Sequence, residues 1–246
     1  QKVKHGVTIF VPAFNEGNVL EKTIQGVTKA ASAARTPFEI IIVNDGSTDD
    51  TGLLINKLEK KYSFVHSINH STNLGWGIGF REALGIAKYP KITLFPGDGF
   101  ISTKTLSQML RYAYKADFVC VYLLNGQYRP FIRKLLSFLF TFIYKSTFHL
   151  PIEYINATPV YSVALLKQMK LRCRRYSFPA EPTVRLLRSG CSFLEIGGYM
   201  NPNANKSSAL KLRNLSEVVL NYLWLIMEIY FLNPTEYKVK PKRIYS

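Results

Sequence analysis

Apolar residues in the first half of the chain follow two alternating patterns. The first is a short apolar run, rich in β-branched and aromatic residues, and it recurs at 7–12, 38–43, 91–95 and 117–123, with a weaker example at 64–69. The second has apolar residues three or four positions apart, and it recurs at 17–34, 51–62, 76–88 and 103–115. Unbroken runs are typical of strands buried on both faces, and the wider spacing is typical of helices. The alternation predicts an α/β fold with a mostly parallel, Rossmann-like sheet flanked by helices.

Carboxylates cluster in the loops that follow these predicted strands. They are Glu16, Asp45, Asp49, Asp50 and Asp98. Ligands of open parallel sheets bind beyond the carboxyl ends of the strands, where these loops lie. Carboxylates can accept hydrogen bonds from a base or ribose and can bind a divalent cation. The cluster is the main functional signal, and the glycine-rich third loop, which includes Gly75, would let the backbone approach a ligand closely.

The composition sets bounds on partners and compartment. The chain of 246 residues carries 32 basic and 16 acidic residues, a formal net charge of +16. Such a balance favours polyanions: nucleic acid, anionic lipid headgroups or phosphorylated substrates. Cys120, Cys173 and Cys191 show neither zinc spacing nor a disulfide framework, which indicates a reducing compartment. The first apolar run is too short for a signal peptide, so none is expected.

Several other classes of protein lack support in the sequence. There is no P-loop motif, no serine-centred nucleophile elbow, no HExxH and no CxxC. GWGIGF at 75–80 has only part of a dinucleotide fingerprint and follows the third predicted strand instead of the first. No nucleic-acid-binding motif is recognised, and acids occupy the predicted binding edge, so nucleic acid is not expected as a partner. The histidines form no spaced set, and we expect surface or loop positions for His5, His66, His70 and His149.

Two apolar segments stand out in the second half of the chain. One spans 135–144 and is preceded by Arg133 and Lys134; the other spans 218–232 and is interrupted by Glu228. A membrane-spanning helix needs about 20 apolar residues, and both segments are shorter or carry a charge. They are either core helices or helices that lie in a membrane interface, with the basic flanks on the headgroups.

The loop sequences resemble those of a known enzyme family. VPAFNE at 11–16 and IIIVNDGSTDDT at 40–51, with the spacing to Asp98, resemble the family 2 glycosyltransferases, whose fold is called GT-A. The resemblance covers roughly residues 5–200. RKLLS at 133–137 is similar to the Arg-Lys-x-x-Ser of the polyprenyl-phosphate glycosyltransferases, a branch that includes dolichol-phosphate mannose synthase. In that branch the motif begins a helix that lies on the membrane.

On the donor side, the resemblance implies a nucleotide-diphosphate sugar, a divalent cation and inversion at the sugar. It assigns nucleotide contacts to the first loop, at Pro12, Ala13, Asn15 and Glu16. Asp45 would hydrogen-bond the base, and the third loop would add Gly75.

The divalent cation, Mg²⁺ or Mn²⁺, would be held at Asp98, which is also a candidate catalytic residue. The family has an Asp-x-Asp motif at this point, and Pro96 replaces its first acid here. Mg²⁺ is often held by only one or two carboxylates together with phosphate oxygens, so one carboxylate can suffice. The alternative is that Gly97, Asp98 and Gly99 form only a turn.

On the acceptor side, the branch implies a polyprenyl (dolichyl or undecaprenyl) phosphate. Arg129, Arg133 and Lys134 would bind its phosphate beside the apolar segment, and Lys206 in the polar loop at 198–211 would reach the diphosphate. A lipid phosphate is already an anionic nucleophile, so it requires no strong general base. In relatives with hydroxyl acceptors an acid near this point is the general base, and Glu181 is therefore the second catalytic candidate.

The sequence predicts a GT-A domain over 1–210, including an interface helix near 130–147, and a C-terminal apolar helix and basic tail over 211–246. The tail at 237–246 is expected to be an extended arm or a membrane-surface contact. We expect an inverting glycosyltransferase bound peripherally to the cytoplasmic face of a membrane, in cell-envelope polysaccharide or glycoprotein biosynthesis. The alternatives are a transferase to a glycan hydroxyl and a noncatalytic nucleotide-sugar-binding protein, which Pro96 keeps open.

Overall fold

The computed structural model describes residues 5–97, 101–126, 130–155, 158–175, 178–201 and 212–245. The strands are β1 (Val7–Ala13), β2 (Phe38–Asp45), β3 (Val65–His70), β4 (Lys91–Leu94), β5 (Phe118–Leu123), β6 (Val160–Ser162), β7 (Ser192–Gly198) and β8 (Lys242–Ile244). The helices are α1 (Leu20–Ala34), α2 (Thr51–Lys61), α3 (Trp76–Ile86), α4 (Thr103–Tyr112), α5 (Phe131–Phe148), α6 (Val163–Lys167), α7 (Ala180–Arg188) and α8 (Leu212–Met227). A π-helical turn, Glu228–Leu232, continues α8.

One strand breaks the parallel order of the sheet. The strand order is β3-β2-β1-β4-β6-β5-β7-β8, and β6 pairs antiparallel with both β4 and β5. The other strand pairs among the described residues are parallel. The predicted mostly parallel α/β sheet flanked by helices is confirmed.

The sheet separates two apolar cores. In β1, Val7, Ile9 and Val11 belong to the core that includes α1, α2 and α4. Phe10, between Ile9 and Val11, belongs to the core that includes α3, α5, α7 and α8. Successive strand residues point to opposite faces, so a strand covered by helices on both faces needs an unbroken apolar run. The apolar runs in the sequence have this cause.

Helix α1 begins at Leu20, whereas the apolar pattern predicts a start at residue 17. The backbone N–H groups of Glu16 and Gly17 donate instead to side chains of the second loop, Thr51 Oγ1 at 2.9 Å and Asp49 Oδ2 at 3.3 Å. These bonds hold both residues in the loop before α1. The helix boundary is therefore set by contacts between loops, which helical periodicity does not report.

Helices α5 and α8 lie side by side over one face of the sheet. Thr147 Oγ1 and the Tyr222 hydroxyl are 2.7 Å apart, and the rings of Phe148 and Tyr230 are stacked with centroids 6.2 Å apart. Each helix follows a strand in the chain, α5 after β5 and α8 after β7. Both therefore run back from the carboxyl edge of the sheet toward its amino edge.

The C-terminal segment contributes to the same sheet and core. Leu225 of α8 and Ile229 of the π-helical turn are buried in the core. β8 pairs parallel with β7, and an isolated bridge joins Ser189 to Val239. Residues 242–244 of the predicted extended arm are thus an additional strand at the edge of β7, and the alternative of a membrane-surface contact stays a prediction.

Candidate functional site

The loops after β1 and β2 are tied together at the carboxyl edge of the sheet. Pro12 and Ala13 are the last residues of β1. The N–H of Asn15 donates to Ser47 Oγ at 3.0 Å, and Asn15 Oδ1 accepts the N–H of Thr48 at 2.9 Å. Asn15 has a φ of 56°, in the left-handed region that asparagine tolerates better than most residues. The predicted nucleotide loop is thus fixed against its neighbour.

Asp49 of the second loop has structural partners. Its carboxylate accepts hydrogen bonds from the N–H and hydroxyl of Thr51 and from the N–H of Gly17. The hydrogen bond from the Thr51 hydroxyl is the main cause that lowers the pKa of Asp49. The charged carboxylate therefore stabilises the junction between the first loop and the start of α2.

Asp45, the predicted base-binding residue, is buried at the end of β2. Its Oδ1 accepts the N–H of Leu74 and its Oδ2 accepts the N–H of Gly75, both at 2.9 Å. Gly75 has a φ of 100°, and a Cβ there would lie 2.6 Å from the Arg174 carbonyl oxygen. Only glycine fits this position, and Asp45 and Gly75, predicted separately, are direct partners.

His70 lies between two carboxylates beside this site. Its Nδ1 is 2.9 Å from Asp45 Oδ1 and its Nε2 is 2.6 Å from Glu82 Oε2. Burial lowers the pKa of His70, but the hydrogen bonds and charges of Asp45 and Glu82 outweigh burial and raise that pKa above its ordinary value. The expected surface or loop position is wrong, since the side chain is only 6% exposed. The available signal was strand register, because Asp45 and His70 end neighbouring parallel strands opposite each other.

Gly97 brings the fourth loop against the first. A Cβ on Gly97 would lie 2.7 Å from the Pro12 carbonyl oxygen and 3.7 Å from Glu16 Cγ. The Gly97 carbonyl accepts a hydrogen bond of 2.8 Å from Thr23 Oγ1. Asp98, the predicted metal ligand, lies outside the described residues. Within the described ranges, no three His, Cys, Asp or Glu side chains come together as a metal site.

Two of the four predicted acceptor residues lie at the start of α5. Arg133 and Lys134 are in its first turn, whereas Arg129 and Lys206 lie outside the described residues. Lys134, Ser137 and Tyr154 are among the residues that line a cavity of about 430 Å³ next to the carboxyl end of β5. Ser137 Oγ donates to the Tyr154 hydroxyl at 3.2 Å. The cavity places one predicted cation next to the sheet edge that carries the donor loops.

Glu181 is completely buried at the start of α7. Its carboxylate accepts the N–H groups of Arg172 (2.9 and 3.0 Å) and Cys173 (2.7 Å). It also pairs with Arg185 at 2.9 Å, and Arg185 in turn pairs with Glu228 at 2.6 Å. These partners favour a structural role for Glu181 over the predicted role as general base, because the carboxylate is enclosed by its own chain.

Residues 172–175 form a strap, as we call this segment, between α8 and the third loop. Glu217 of α8 accepts the N–H groups of Arg174 at 2.6 Å and Arg175 at 2.8 Å. The Arg174 carbonyl accepts the N–H of Gly77 at 2.8 Å, and Arg175 Nη1 donates to Asn73 Oδ1 at 3.1 Å. The strap thus links an apolar helix to the loop that Asp45 holds. No local pattern predicts these contacts, since the partners of the strap lie far from it along the chain.

Helices α5 and α8 expose large apolar side chains over their outer faces. On α5 these are Phe131, Ile132, Leu135, Leu136, Phe138, Leu139, Phe142 and Ile143. On α8 and the turn after it they are Val219, Leu220, Leu223, Met227, Phe231 and Leu232. Large exposed apolar patches mark protein or membrane contacts, so the outer face of α5 is free for one of these, whereas Thr141, Tyr144 and Phe148 on the same helix are buried. Among the described residues, no helix has the length and apolarity to cross a membrane.

Solved structures of similar architecture bind nucleotide sugars or their products. Glucosyl-3-phosphoglycerate synthase of Mycobacterium tuberculosis, in complex with Mn²⁺, UDP and glucosyl-3-phosphoglycerate, has a TM-score of 0.62 at 13% identity, covering 91% of this chain and 79% of that one. S. aureus TarS in complex with UDP-GlcNAc has a TM-score of 0.56 at 16% identity, covering 89% and 66%. At such identities the likeness shows the fold alone, which is GT-A.

Curated proteins match over shorter stretches. An uncharacterized glycosyltransferase of Mycoplasma pneumoniae is 25% identical over 46% of this chain. A poly(ribitol-phosphate) beta-glucosyltransferase of Bacillus spizizenii is 28% identical over 41% of it. A dolichyl-phosphate beta-glucosyltransferase of Trichomonas vaginalis is 28% identical over 38% of it. The matches span 38%, 16% and 30% of the respective relatives, so this chain spans well under half of their length.

The family model gives the broadest sequence match. The model described as glycosyl transferase family 2 matches residues 8–172, more than half of the chain. This span begins in β1 and includes the loops that carry Asn15, Asp45, Gly75 and Gly97. With a GT-A sheet and the donor loops joined at its carboxyl edge, the chain belongs to glycosyl transferase family 2.

Proposed function

We propose that this protein transfers a sugar from UDP-sugar to a polyprenyl phosphate at a membrane surface, with inversion at the sugar. The observation that carries the proposal is the position of α5. Its first turn, with Arg133 and Lys134, follows β5 at the sheet edge of the donor loops, and its outer face is exposed and apolar. A lipid-linked phosphate requires this combination of cations and apolar surface in one place.

The donor nucleotide is supported by the hydrogen-bonding capacity left on Asp45. A carboxylate can accept about four hydrogen bonds, and Asp45 accepts from Leu74, Gly75 and His70. Oδ1 takes two of these, so Oδ2 retains an acceptor position for the imide N–H of a uracil. Two solved structures of similar fold contain UDP or UDP-GlcNAc, which favours uracil over other bases.

The donor side offers a divalent cation a single predicted carboxylate ligand, Asp98. Gly97 lies so close to the Pro12 carbonyl oxygen that a side chain would collide, so the fourth loop packs against the first at Gly97. Asp98 would hold Mg²⁺ or Mn²⁺ together with diphosphate oxygens, and the metal would neutralise charge on the departing UDP. The chain's own part is to hold the base at Asp45 and the ribose side of the donor along Asn15 and Glu16.

The surroundings of Glu181 favour a phosphate acceptor over a hydroxyl acceptor. A phosphate acceptor attacks as an anion and needs positioning and charge neutralisation more than a base. Glu181 is enclosed by Arg185 and backbone amides, so it is poorly placed to deprotonate a hydroxyl. Arg133 and Lys134 would orient the phosphate. The similarity to a dolichyl-phosphate glucosyltransferase supports the same acceptor class.

Transfer to a glycan hydroxyl is the second candidate. It is favoured by the similarity to a poly(ribitol-phosphate) glucosyltransferase, whose acceptor is a polymer. In that case a carboxylate other than the enclosed Glu181 would have to act as base.

The test is a transfer assay with UDP-glucose or UDP-GlcNAc, Mn²⁺ and either a short-chain polyprenyl phosphate or a soluble saccharide. We expect product with the lipid phosphate alone. Asp98→Asn should remove activity, whereas Glu21→Gln on the outer side of α1 should retain it. Product with the saccharide but not the lipid would support the second candidate and overturn the first. Full turnover by Asp98→Asn would remove Asp98 from the metal and catalytic roles.

A further inference from the structure

A recess of about 410 Å³ lies at the edge of the sheet opposite the donor loops. Its wall is formed by the residues that follow α5 (149–151), the end of α7 (187–188) and the segment that leads into β8 (238–241). All three segments lie at the amino ends of β7 and β8, because α5 and α7 run back from the carboxyl edge. The recess is therefore separate from the predicted donor and acceptor residues.

Cations line the recess without an ion-pair partner in the part of the chain that the structure describes. Arg188, Lys238 and Lys240 line it together with His149, and no carboxylate does. Among the described residues, none of the three permanent cations forms an ion pair, and Arg188 Nε is buried without a hydrogen-bond partner. By contrast, Arg185, one turn earlier on α7, is paired with two glutamates. Cations gathered without compensation create a local positive potential that attracts anions.

The remaining wall of the recess is apolar. It is contributed by Leu150, Pro151, Leu187, Val239 and Pro241. Ligand sites typically have volumes of about 300–1,000 Å³ and combine apolar walls with a few polar groups. The chemistry that matches both halves of the wall is a phosphate ester, with the phosphate on the cations and its organic part on the apolar side.

The recess adjoins the exposed apolar surface of α5 and α8. The Arg188 guanidinium lies 5.7 Å from the Tyr230 ring, and that ring stacks on Phe148, the last residue of α5. Phe231, next to Tyr230, is 68% exposed. A membrane that contacts the apolar surface would bring its headgroups to the level of the recess.

We infer that this recess is a second, noncatalytic binding site, specific for a phosphate ester. At a membrane the ester is the headgroup of an anionic phospholipid, an occupant that depends on the proposed membrane association; in solution it is a small phosphate ester. Arginine and lysine are the side chains that bind phosphate most strongly. The site would orient the protein on the bilayer by binding headgroups at the amino edge of the sheet.

The test compares Lys238→Gln/Lys240→Gln with the matched pair Lys57→Gln/Lys60→Gln, which removes the same charge from exposed positions on α2, across the sheet. Co-sedimentation is measured with vesicles of phosphatidylcholine alone and with added phosphatidylglycerol. A basic residue near an anionic surface contributes about 1 kcal/mol, so we expect a loss of about tenfold or more in affinity for anionic vesicles with the first pair. The α2 pair should change little. Arg188→Gln provides a second variant of the site.

A soluble arm distinguishes the sources of the ester. Glycerol 3-phosphate should raise the melting temperature of the wild type, and of the α2 pair, but not of the Lys238/Lys240 pair. If the two double variants differ only in their response to glycerol 3-phosphate, the site binds a free ester. If they differ in binding to anionic vesicles, the site binds a lipid headgroup. If both pairs behave alike in both arms, the site is overturned. Binding to phosphatidylcholine alone tests the proposed membrane function separately, since this zwitterionic lipid offers the cations of the recess no net negative charge.

Discussion

At the scale of single residues, the acids at the carboxyl edge of the sheet accept hydrogen bonds from the protein's own backbone. Asp45 holds the third loop through Leu74 and Gly75, and Asp49 joins the first loop to α2. Both carboxylates replace water with backbone N–H donors, and such bonds to a charged acceptor are among the stronger ones. The donor cleft is thus preorganised by the side chains predicted to bind the donor.

His70 makes this arrangement dependent on pH. Its pKa is raised in the folded state, so its stabilising contribution is fully present below the ordinary histidine pKa of about 6.5 and is lost as the pH rises through the folded-state pKa. We expect the stability difference between the wild type and His70→Gln to be largest near the acidic end and to shrink as the pH rises. Urea denaturation across this pH range measures it.

His66 provides the control for this effect. Its side chain is 50% exposed and lies 3.9 Å from Glu39. His66→Gln removes an imidazole from this exposed position, and the effect of His70→Gln is taken relative to that variant at each pH. A difference for His70→Gln that grows with pH would show that the neutral imidazole is the stabilising form, contrary to the geometry between Asp45 and Glu82.

Glu181 gives a second test at a single residue. Removing one partner from a buried ion pair typically costs about 3 kcal/mol or more, so Glu181→Gln should lower the free energy of unfolding by about that amount. Activity per folded molecule should be largely retained. A variant of normal stability with no activity would instead restore the role of general base.

The sequence could locate these residues but not their partners. The loops after the strands were correctly placed because a parallel sheet brings their carboxyl ends together. The sequence does not reveal which acid accepts backbone N–H groups, or that His70 lies between two carboxylates. Both depend on the directions of side chains that are 12 to 30 residues apart along the chain. Local patterns carry no such information.

At the scale of elements, the outer face of α5 differs from an ordinary surface helix. Phe138 and Phe142 are 64% and 57% exposed and stack on each other one turn apart. Phe138→Ser/Phe142→Ser should weaken binding to phosphatidylcholine vesicles by about tenfold or more, because each buried aromatic ring contributes about 1.5–3 kcal/mol. Stability should be unchanged, since neither ring belongs to the core.

A single matched position on α2 controls for the loss of apolar surface. Leu53 is 63% exposed, and α2 packs on the other face of the sheet. Leu53→Ser should leave vesicle binding at the wild-type level. Equal losses at Leu53 and at the two phenylalanines would mean that apolar exposure in general, not α5, governs the association.

The strap at 172–175 couples α8 to the donor loop. Hydrogen bonds to a charged group contribute about 1.5–3 kcal/mol, so Glu217→Gln should loosen Arg174 and Arg175 and weaken UDP binding by roughly tenfold at most. Isothermal titration with UDP measures this. Glu236→Gln, an exposed position after α8, removes the same charge and should bind UDP normally; unchanged affinity in Glu217→Gln would mean that the strap has no effect on the donor site.

The elements that periodicity missed are the short ones. β6 has three residues and β8 has three, too few for a two-residue alternation to stand out. β6 forms because it fits between β4 and β5, and β8 forms because β7 offers an unpaired edge. Both are products of tertiary pairing, whereas the long strands and helices of the first half could be predicted from their own residues.

At the scale of the whole molecule, charge and apolar surface act together. In the proposed membrane association, the net charge of +16 would attract an anionic bilayer from a distance, and the exposed faces of α5 and α8 would hold it at contact. Salt screens the first effect, because the Debye length falls from about 10 Å at 0.1 M to about 3 Å at 1 M. Salt does not weaken apolar burial. We therefore expect affinity for anionic vesicles to fall with added salt until it meets the salt-independent affinity for neutral vesicles.

Co-sedimentation over a salt series measures the two contributions in one protein. Removing apolar contacts with Phe138→Ser/Phe142→Ser should lower the plateau at high salt and leave the salt-dependent part largely intact. Removing charge with Lys238→Gln/Lys240→Gln should reduce the salt-dependent part of the affinity and leave the plateau at high salt largely intact. Affinity that is independent of salt would show that the net charge has no part in association, and a plateau of zero would show that the apolar faces of α5 and α8 meet something other than lipid. Two separable responses are expected because the cations and the apolar side chains lie on different residues of the same surface.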